Sequence, residues 1–201
     1  MDRIPIKTNP KLFDKAVLPM QKVLADILWL DYSFGICESL VDVVDGKKYT
    51  SANLYLGDGK YERIEPCEEL GNFSFFYLKD PQSFGAKDSS LLKSPYSLIL
   101  WYDLTKVSLP TDERNREAVK AQIMDALDSL HSPYFTIDKI YENPRNVFSD
   151  FSYDHTNNQF LMHPFTGIRI DGTLTARTEC LHRRTDDGDS YSYSFTKSFD
   201  L

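Results

Sequence analysis

The chain is short of cysteine, of long apolar runs and of surplus positive charge, and each shortage removes a class of function. Cys37, Cys67 and Cys180 are odd in number and far apart, a pattern of free thiols in a reducing compartment and not of a disulfide framework. No stretch approaches the roughly 18 consecutive apolar residues of a membrane-spanning helix. The opening segment MDRIPIKTNPKLF lacks the basic start and apolar run of a secretion signal, so cytoplasmic synthesis is expected. The formal net charge is −7, which argues against nucleic-acid binding by phosphate neutralisation, since that needs clustered Lys and Arg. The nearest basic cluster, Arg177, His182, Arg183 and Arg184, runs directly into Asp186, Asp187 and Asp189.

Motifs of catalysis and metal binding are equally scarce. His131, His155, His163 and His182 form no i,i+4 pair and no HExxH, so no metal or other cofactor is expected. DGKKYTS at 45–51 fails as a phosphate loop because Val41 stands where the first glycine belongs. The aspartates around Gly188 lack the glutamate of a calcium loop, and NFS at 72–74 is a glycosylation acceptor only in a secreted protein. Glu38 beside Cys37, and Glu68 and Glu69 after Cys67, would raise a thiol's pKa and blunt a nucleophile. Cys180 has His182 two residues on, but the spacing implies no oxyanion donor. Structural roles are the expectation for all three cysteines and for His163, whose ring is expected to be packed between Met162 and Phe165.

What the sequence does have is aromatic mass and alternation. With 41% hydrophobic residues in 201, one core hiding roughly 70% of the extended chain's surface is expected. The 13 Phe and 12 Tyr suit interfaces as well as cores. No internal repeat or low-complexity linker divides the chain. Met20, Val23, Leu24, Ile27 and Leu28 fall at helical spacing over 18–30, with Pro19 near the first turn. Strands are expected at 36–44, 49–56 and 61–64, joined by DGK at 45–47 and GDGK at 57–60, where glycine supplies the positive φ of tight turns. Residues 72–78 and 96–102 (YSLILWY) read as further strands, the second apolar enough to be central, with a polar, mobile loop over 79–95 between them. Thr111 or Asp112 is expected to cap a second helix whose stripe is Val119, Ile123, Ala126, Leu127 and Leu130, ending at Ser132-Pro133. A strand follows at 134–142 with Phe135, Ile137 and Lys139 on one face, then an ordered loop with Phe148, Phe151 and Tyr153, then one or two strands over 165–180.

The resulting expectation is an α+β domain over residues 1–184, a largely antiparallel sheet with two main helices on one face. In DSYSYSFTKSFDL, Tyr191, Tyr193, Phe195 and Phe199 keep period two, broken only at Lys197. That predicts an extended C-terminal arm over 185–201, either an edge strand of its own sheet or a strand added to a neighbour's.

This order of elements, and the wording KVLADILWLDYSFG, YSLILWYDLTKV and NVFSDFSYDHTNNQFLMHPFTGIRIDGTL, resembles the tail terminators and tail-completion proteins of tailed bacteriophages, including ring proteins of crAss-like Bacteroides phages. The resemblance covers roughly residues 15 to 180. It implies a structural virion protein without catalytic residues, forming a homo-oligomeric ring in the neck or tail between portal and tail proteins, with DNA passing through the channel without specific binding. It also implies a protruding hairpin, for which 45–61 is the natural segment. Gly46, Lys47 and Gly59 in that segment, with Tyr191, Tyr193, Phe195 and Phe199 in the arm, are the expected subunit-interface residues. Two rivals remain open: a small cytosolic hydrolase using Cys37 or Cys180, and a monomeric binding module whose aromatic loop 148–153 meets a ligand.

Overall fold

The computed structural model describes residues 3–44, 46–85, 90–110, 114–152 and 162–178. Along these the elements are α1 (Phe13–Ala25), β1 (Tyr32–Val44), β2 (Lys47–Gly57), β3 (Lys60–Ile64), β4 (Phe73–Leu78), β5 (Ser83–Phe84), β6 (Leu91–Asp103), α2 (Arg116–Asp128), β7 (Phe135–Tyr141), α3 (Pro144–Val147) and β8 (Phe165–Arg177). The strands form one sheet in the order β3-β2-β1-β4-β6-β8-β7, with β5 pairing the start of β6. Every pairing is antiparallel except β1 with β4. The fold is therefore α+β with a mostly antiparallel sheet, as the pattern of elements anticipates.

Burial on both faces explains the unbroken apolar run of β6. Leu98 and Leu100 point to one face and Ile99 and Trp101 to the other, all 1% exposed or less, because neighbouring strand residues alternate sides. On the first face they meet Phe13, Val17, Met20 and Leu24 of α1 and Val119, Ile123 and Leu127 of α2, so both longer helices cover the same side. The Trp29 indole N–H donates to Gln122 Oε1 at 2.7 Å and ties the segment that follows α1 to α2. On the second face Phe34, Phe73, Phe75, Ile99 and Trp101 pack beneath Val147, Phe148 and Phe151. Trp101 stacks on Phe73 at 5.7 Å and on Phe165 at 5.2 Å.

Helix boundaries depart from the sequence reading for local reasons. α1 begins at Phe13, where the Asp14 carboxylate accepts the Lys11 amide at 3.2 Å and pairs with Lys7 at 2.7 Å, so Pro19 falls inside the helix and not in its first turn. The chain leaves the helix after Ala25, which turns Trp29 and Leu30 into the core and leaves Leu28 82% exposed. α2 starts at Arg116 because Asn115 is the cap: its side chain accepts the Ala118 amide at 3.0 Å. Thr111 and Asp112 lie outside the described residues.

Two strands also correct the reading. β5 and the first residues of β6 occupy part of the expected 79–95 loop. In β7 a register shift between Ile137 and Lys139 makes Asp138 an extra residue, so Lys139 faces the side opposite Phe135 and Ile137. Residues 165–177 form one strand and not two. The expected arm with Tyr191, Tyr193, Phe195 and Phe199 lies outside the described residues, as do Cys180, His155, His182 and the acidic turn at 186–189.

Candidate subunit interface

β1 and β2 outrun the rest of the sheet. β4 pairs with β1 only as far as Cys37↔Tyr77, and β3 pairs with β2 only between Ala52 and Gly57. The pairing from Leu40↔Ser51 to Val44↔Lys47 therefore continues beyond both neighbours, and this outer part is a two-stranded ribbon. Strand alternation puts Val41 and Val43 on the same face as buried Cys37, yet they are 61% and 66% exposed. Their cross-strand partners there are Thr50 and Lys48.

The base of the ribbon is pinned from both faces. On the helix side the Ser51 hydroxyl donates to Asp42 at 3.0 Å, Arg63 forms a short ion pair with Asp42, and the Tyr61 hydroxyl donates to Glu38 at 2.9 Å. That last bond raises the Tyr61 pKa, because the phenol proton is shared with a carboxylate. On the other side the Ser152 amide donates to the Thr50 carbonyl at 2.7 Å, and Tyr77 hydrogen-bonds Ser39.

The turn that supplies Ser152 is held by a buried charge. The Arg169 side chain is 6% exposed and reaches Asp171 at 2.8 Å, Asp150 at 2.8 Å, the Ser149 hydroxyl at 2.6 Å and the Asn146 carbonyl at 3.2 Å. Asp171 also accepts from Lys79 at 2.8 Å and Ser97 at 2.7 Å. Burial alone would push the Asp171 carboxyl up, but hydrogen bonds from Arg169, Lys79 and Ser97 outweigh it and hold the pKa below the usual range. Since the folded-state pKa lies below the unfolded value of about 4, the stabilisation is complete above that pH and lost as the pH falls through the folded value. Urea midpoints measured from neutral to acid pH are expected to fall below about pH 4. Asp171→Asn is expected to lower the neutral midpoint and to flatten that acid limb.

Of the expected interface residues, Gly46 (φ +75°) is at the ribbon tip and exposed Lys47 opens β2 beside it. Gly59 (φ +73°) belongs to the other turn, with Gly57 and Asp58 also at positive φ. Eleven strand residues separate the two turns, roughly 30–35 Å at the rise of a strand. The structure thus puts Gly46 and Gly59 at opposite ends of β2, and the projecting segment is the outer part of 38–51 and not 45–61 as a unit. The exposure of Val41 and Val43 is not foreseen by the sequence. Their alternation with charged and polar neighbours is the ordinary mark of a half-buried strand, and nothing in it reveals that the covering layer stops short.

The residues of the rival readings are placed differently. Cys37 is 1% exposed, and burial pushes its thiol well up, with Lys7 lowering and Glu38 raising it further. A thiol held protonated in the core is a poor nucleophile. Phe148 and Phe151 are buried, and Phe151 packs edge-on against Phe75 and Tyr77 at 5.6 and 5.2 Å, so these rings fill the core instead of facing a ligand. Tyr153 lies outside the described residues. His163 is exposed and not packed. The rigid corner is built by its neighbours: the Pro164 carbonyl accepts the Leu104 amide at 3.1 Å, the Met162 carbonyl accepts the Phe165 amide at 2.8 Å, and Phe165 stacks on Trp101. Among the described residues no three His, Cys, Asp or Glu side chains converge as a metal site would require, and no helix is long and apolar enough to cross a membrane.

No protein-family model, curated protein or solved structure matches the chain.

Proposed function

We propose that this protein is a non-enzymatic structural subunit that assembles head to tail into a ring in the neck or tail of a tailed-bacteriophage virion, between portal and tail components. The single observation that carries this reading is the β1–β2 ribbon, which extends past its neighbours and leaves Val41 and Val43 largely in water. Exposed valines on an unshielded strand are a liability in a monomer and an asset in a subunit. The order of elements, with both longer helices on one face of a mostly antiparallel sheet, agrees with the resemblance to tail terminators. A heterologous contact whose rotation closes would give a ring around the DNA channel. The net charge of −7 suits a wall past which DNA slides without sticking.

Native mass spectrometry and negative-stain imaging of the full chain, alone and with a portal partner, test the proposal. Closed rings, or incorporation into a portal-bound ring, are the expected result; a single 23 kDa species under all these conditions would overturn it. Replacing residues 41–50 by Asn-Gly supplies a sharper test, because Leu40 and Ser51 are cross-strand partners and a two-residue turn joins such a pair directly. Both faces of the core remain, so the circular dichroism spectrum and a cooperative melt are expected to survive while rings disappear. The bond from Ser152 to Thr50 and the contacts of Ser51 and Arg63 with Asp42 are lost with the ribbon, a cost of about 1 kcal/mol for each hydrogen bond and less for the partly exposed ion pair.

A further inference from the structure

Besides the two-residue β5, the sheet has open edges along β3, along β7 and along both sides of the β1–β2 ribbon, and the first two are protected. β3 (Lys60–Ile64) is only five residues long and charged, with Lys60, Glu62 and Arg63 along it. β7 carries the extra residue at Asp138 followed by Lys139, a bulge and a charge that discourage pairing. Both are ordinary devices against edge-to-edge association. On the ribbon, the β2 side before Ala52 opens with Lys47 and Lys48 and has its Thr50 carbonyl taken by the Ser152 amide, which leaves the side of β1 beyond Cys37, where pairing with β4 has stopped. Its side chains on the open face are Ser39, Val41 and Val43, and the last two are exposed.

The registers place the end of the described chain near this edge. Cys37 pairs with Tyr77, Tyr77 with Ser97, and Ser97 with Asp171. From that row β1 runs on toward Val44, β6 runs back toward Leu91, and β8 runs on toward Arg177, all toward the same end of the sheet. The Thr178 amide donates to the Ser90 carbonyl at 2.7 Å there. Beyond it come 23 further residues, 179–201, among them the alternating Tyr191, Tyr193, Phe195 and Phe199. The twelve residues 179–190 can span up to roughly 40 Å when extended, enough to cross to another subunit. Lys47 and Lys48 at the ribbon tip complement the aspartates at 186, 187 and 189 that precede the aromatic run.

We infer that residues 191–199 of one copy add as a strand to the open edge of β1, Ser39 to Val43, on the next copy. This rests on the ring reading and names its contact. Backbone hydrogen bonds along the edge hold the segment, and alternate aromatic rings cover Val41 and Val43. Donor and acceptor are different surfaces of one molecule, so each subunit offers one of each. Such contacts are satisfied throughout only when a ring closes.

The test mixes two full-length populations, one carrying Tyr193→Cys and the other Ser39→Cys, Val41→Cys or Val43→Cys, and analyses disulfide-linked pairs after mild oxidation, with negative-stain imaging in parallel. Inter-copy linkage that needs both new cysteines is expected. Tyr193→Ser with Phe195→Ser is expected to weaken association about tenfold, the loss of two cross-strand aromatic contacts. Rings that form without this linkage overturn the inference and leave the ring reading standing. A third sample carries Tyr193→Cys and Val41→Cys on the same chain, and linkage found only within that chain overturns the inter-copy assignment. Absence of both rings and linkage overturns the two together.

Discussion

Arg169→Met is expected to cost about 3–5 kcal/mol of folding stability, the loss associated with removing one partner of a buried charge network. Methionine replaces much of the stem but none of the donors. Asp150 then loses its cation and Asp171 keeps only Lys79 and Ser97, while the Ser149 hydroxyl and the Asn146 carbonyl lose the guanidinium that joins them to the sheet. Arg169→Lys should recover part of the loss, since it restores charge without the fork that reaches several partners at once. Lys120, which bridges Glu117 and Glu142 near the surface, is the control: Lys120→Met should have little effect. Denaturant unfolding of the three variants checks the order. Because the turn held by Arg169 also supplies the Ser152 amide at the base of the ribbon, the ring proposal further predicts that Arg169→Met impairs assembly under conditions where the protein is still folded.

Gly172→Ala is expected to be the most damaging small-residue change, at about 3 kcal/mol, the upper part of the ordinary overpacking range. A Cβ at this buried position in β8 would run into the Thr136 carbonyl of β7 and come within 2.9 Å of Tyr96 Cε1. The first obstacle is backbone, so it yields only by moving β7 away, which also strains the bond from the Tyr96 hydroxyl to that same carbonyl. Gly46→Ala makes the contrast. Nothing lies within 4 Å of a Cβ there, and the cost is the strain of a positive φ alone, about 1–2 kcal/mol. Hydrogen exchange should report lost protection in β7 for Gly172→Ala and none there for Gly46→Ala.

The difference between these two glycines marks how far local chemistry reaches. Gly46 and Gly59 announce themselves, because Asp-Gly between β-type runs needs positive φ whatever surrounds it. Gly172 gives no such sign; its requirement comes from Thr136, which is 36 residues away in the chain and adjacent only across a strand pair. The same division separates the charges. Arg169 and Asp171 read as two polar positions on an alternating strand, and only folding brings Asp150, Lys79 and Ser97 to them. His163 shows the opposite error: its apolar neighbours suggested a packed ring, but Pro164 and Phe165 make the corner and the imidazole stays outside.

What the sequence by itself determined was the kind and order of the longer elements, though not the short β5 and α3, because apolar periodicity and turn chemistry are properties of adjacent residues. It also determined that β6 lies inside the sheet, since only a strand covered on both faces can carry Leu98, Ile99, Leu100 and Trp101 in succession. The tertiary structure alone decided where coverage stops. How far β4 and β3 accompany β1 and β2 depends on strand registers set by contacts distant in the chain, and the exposure of Val41 and Val43 follows from those registers and from no property of the valines themselves.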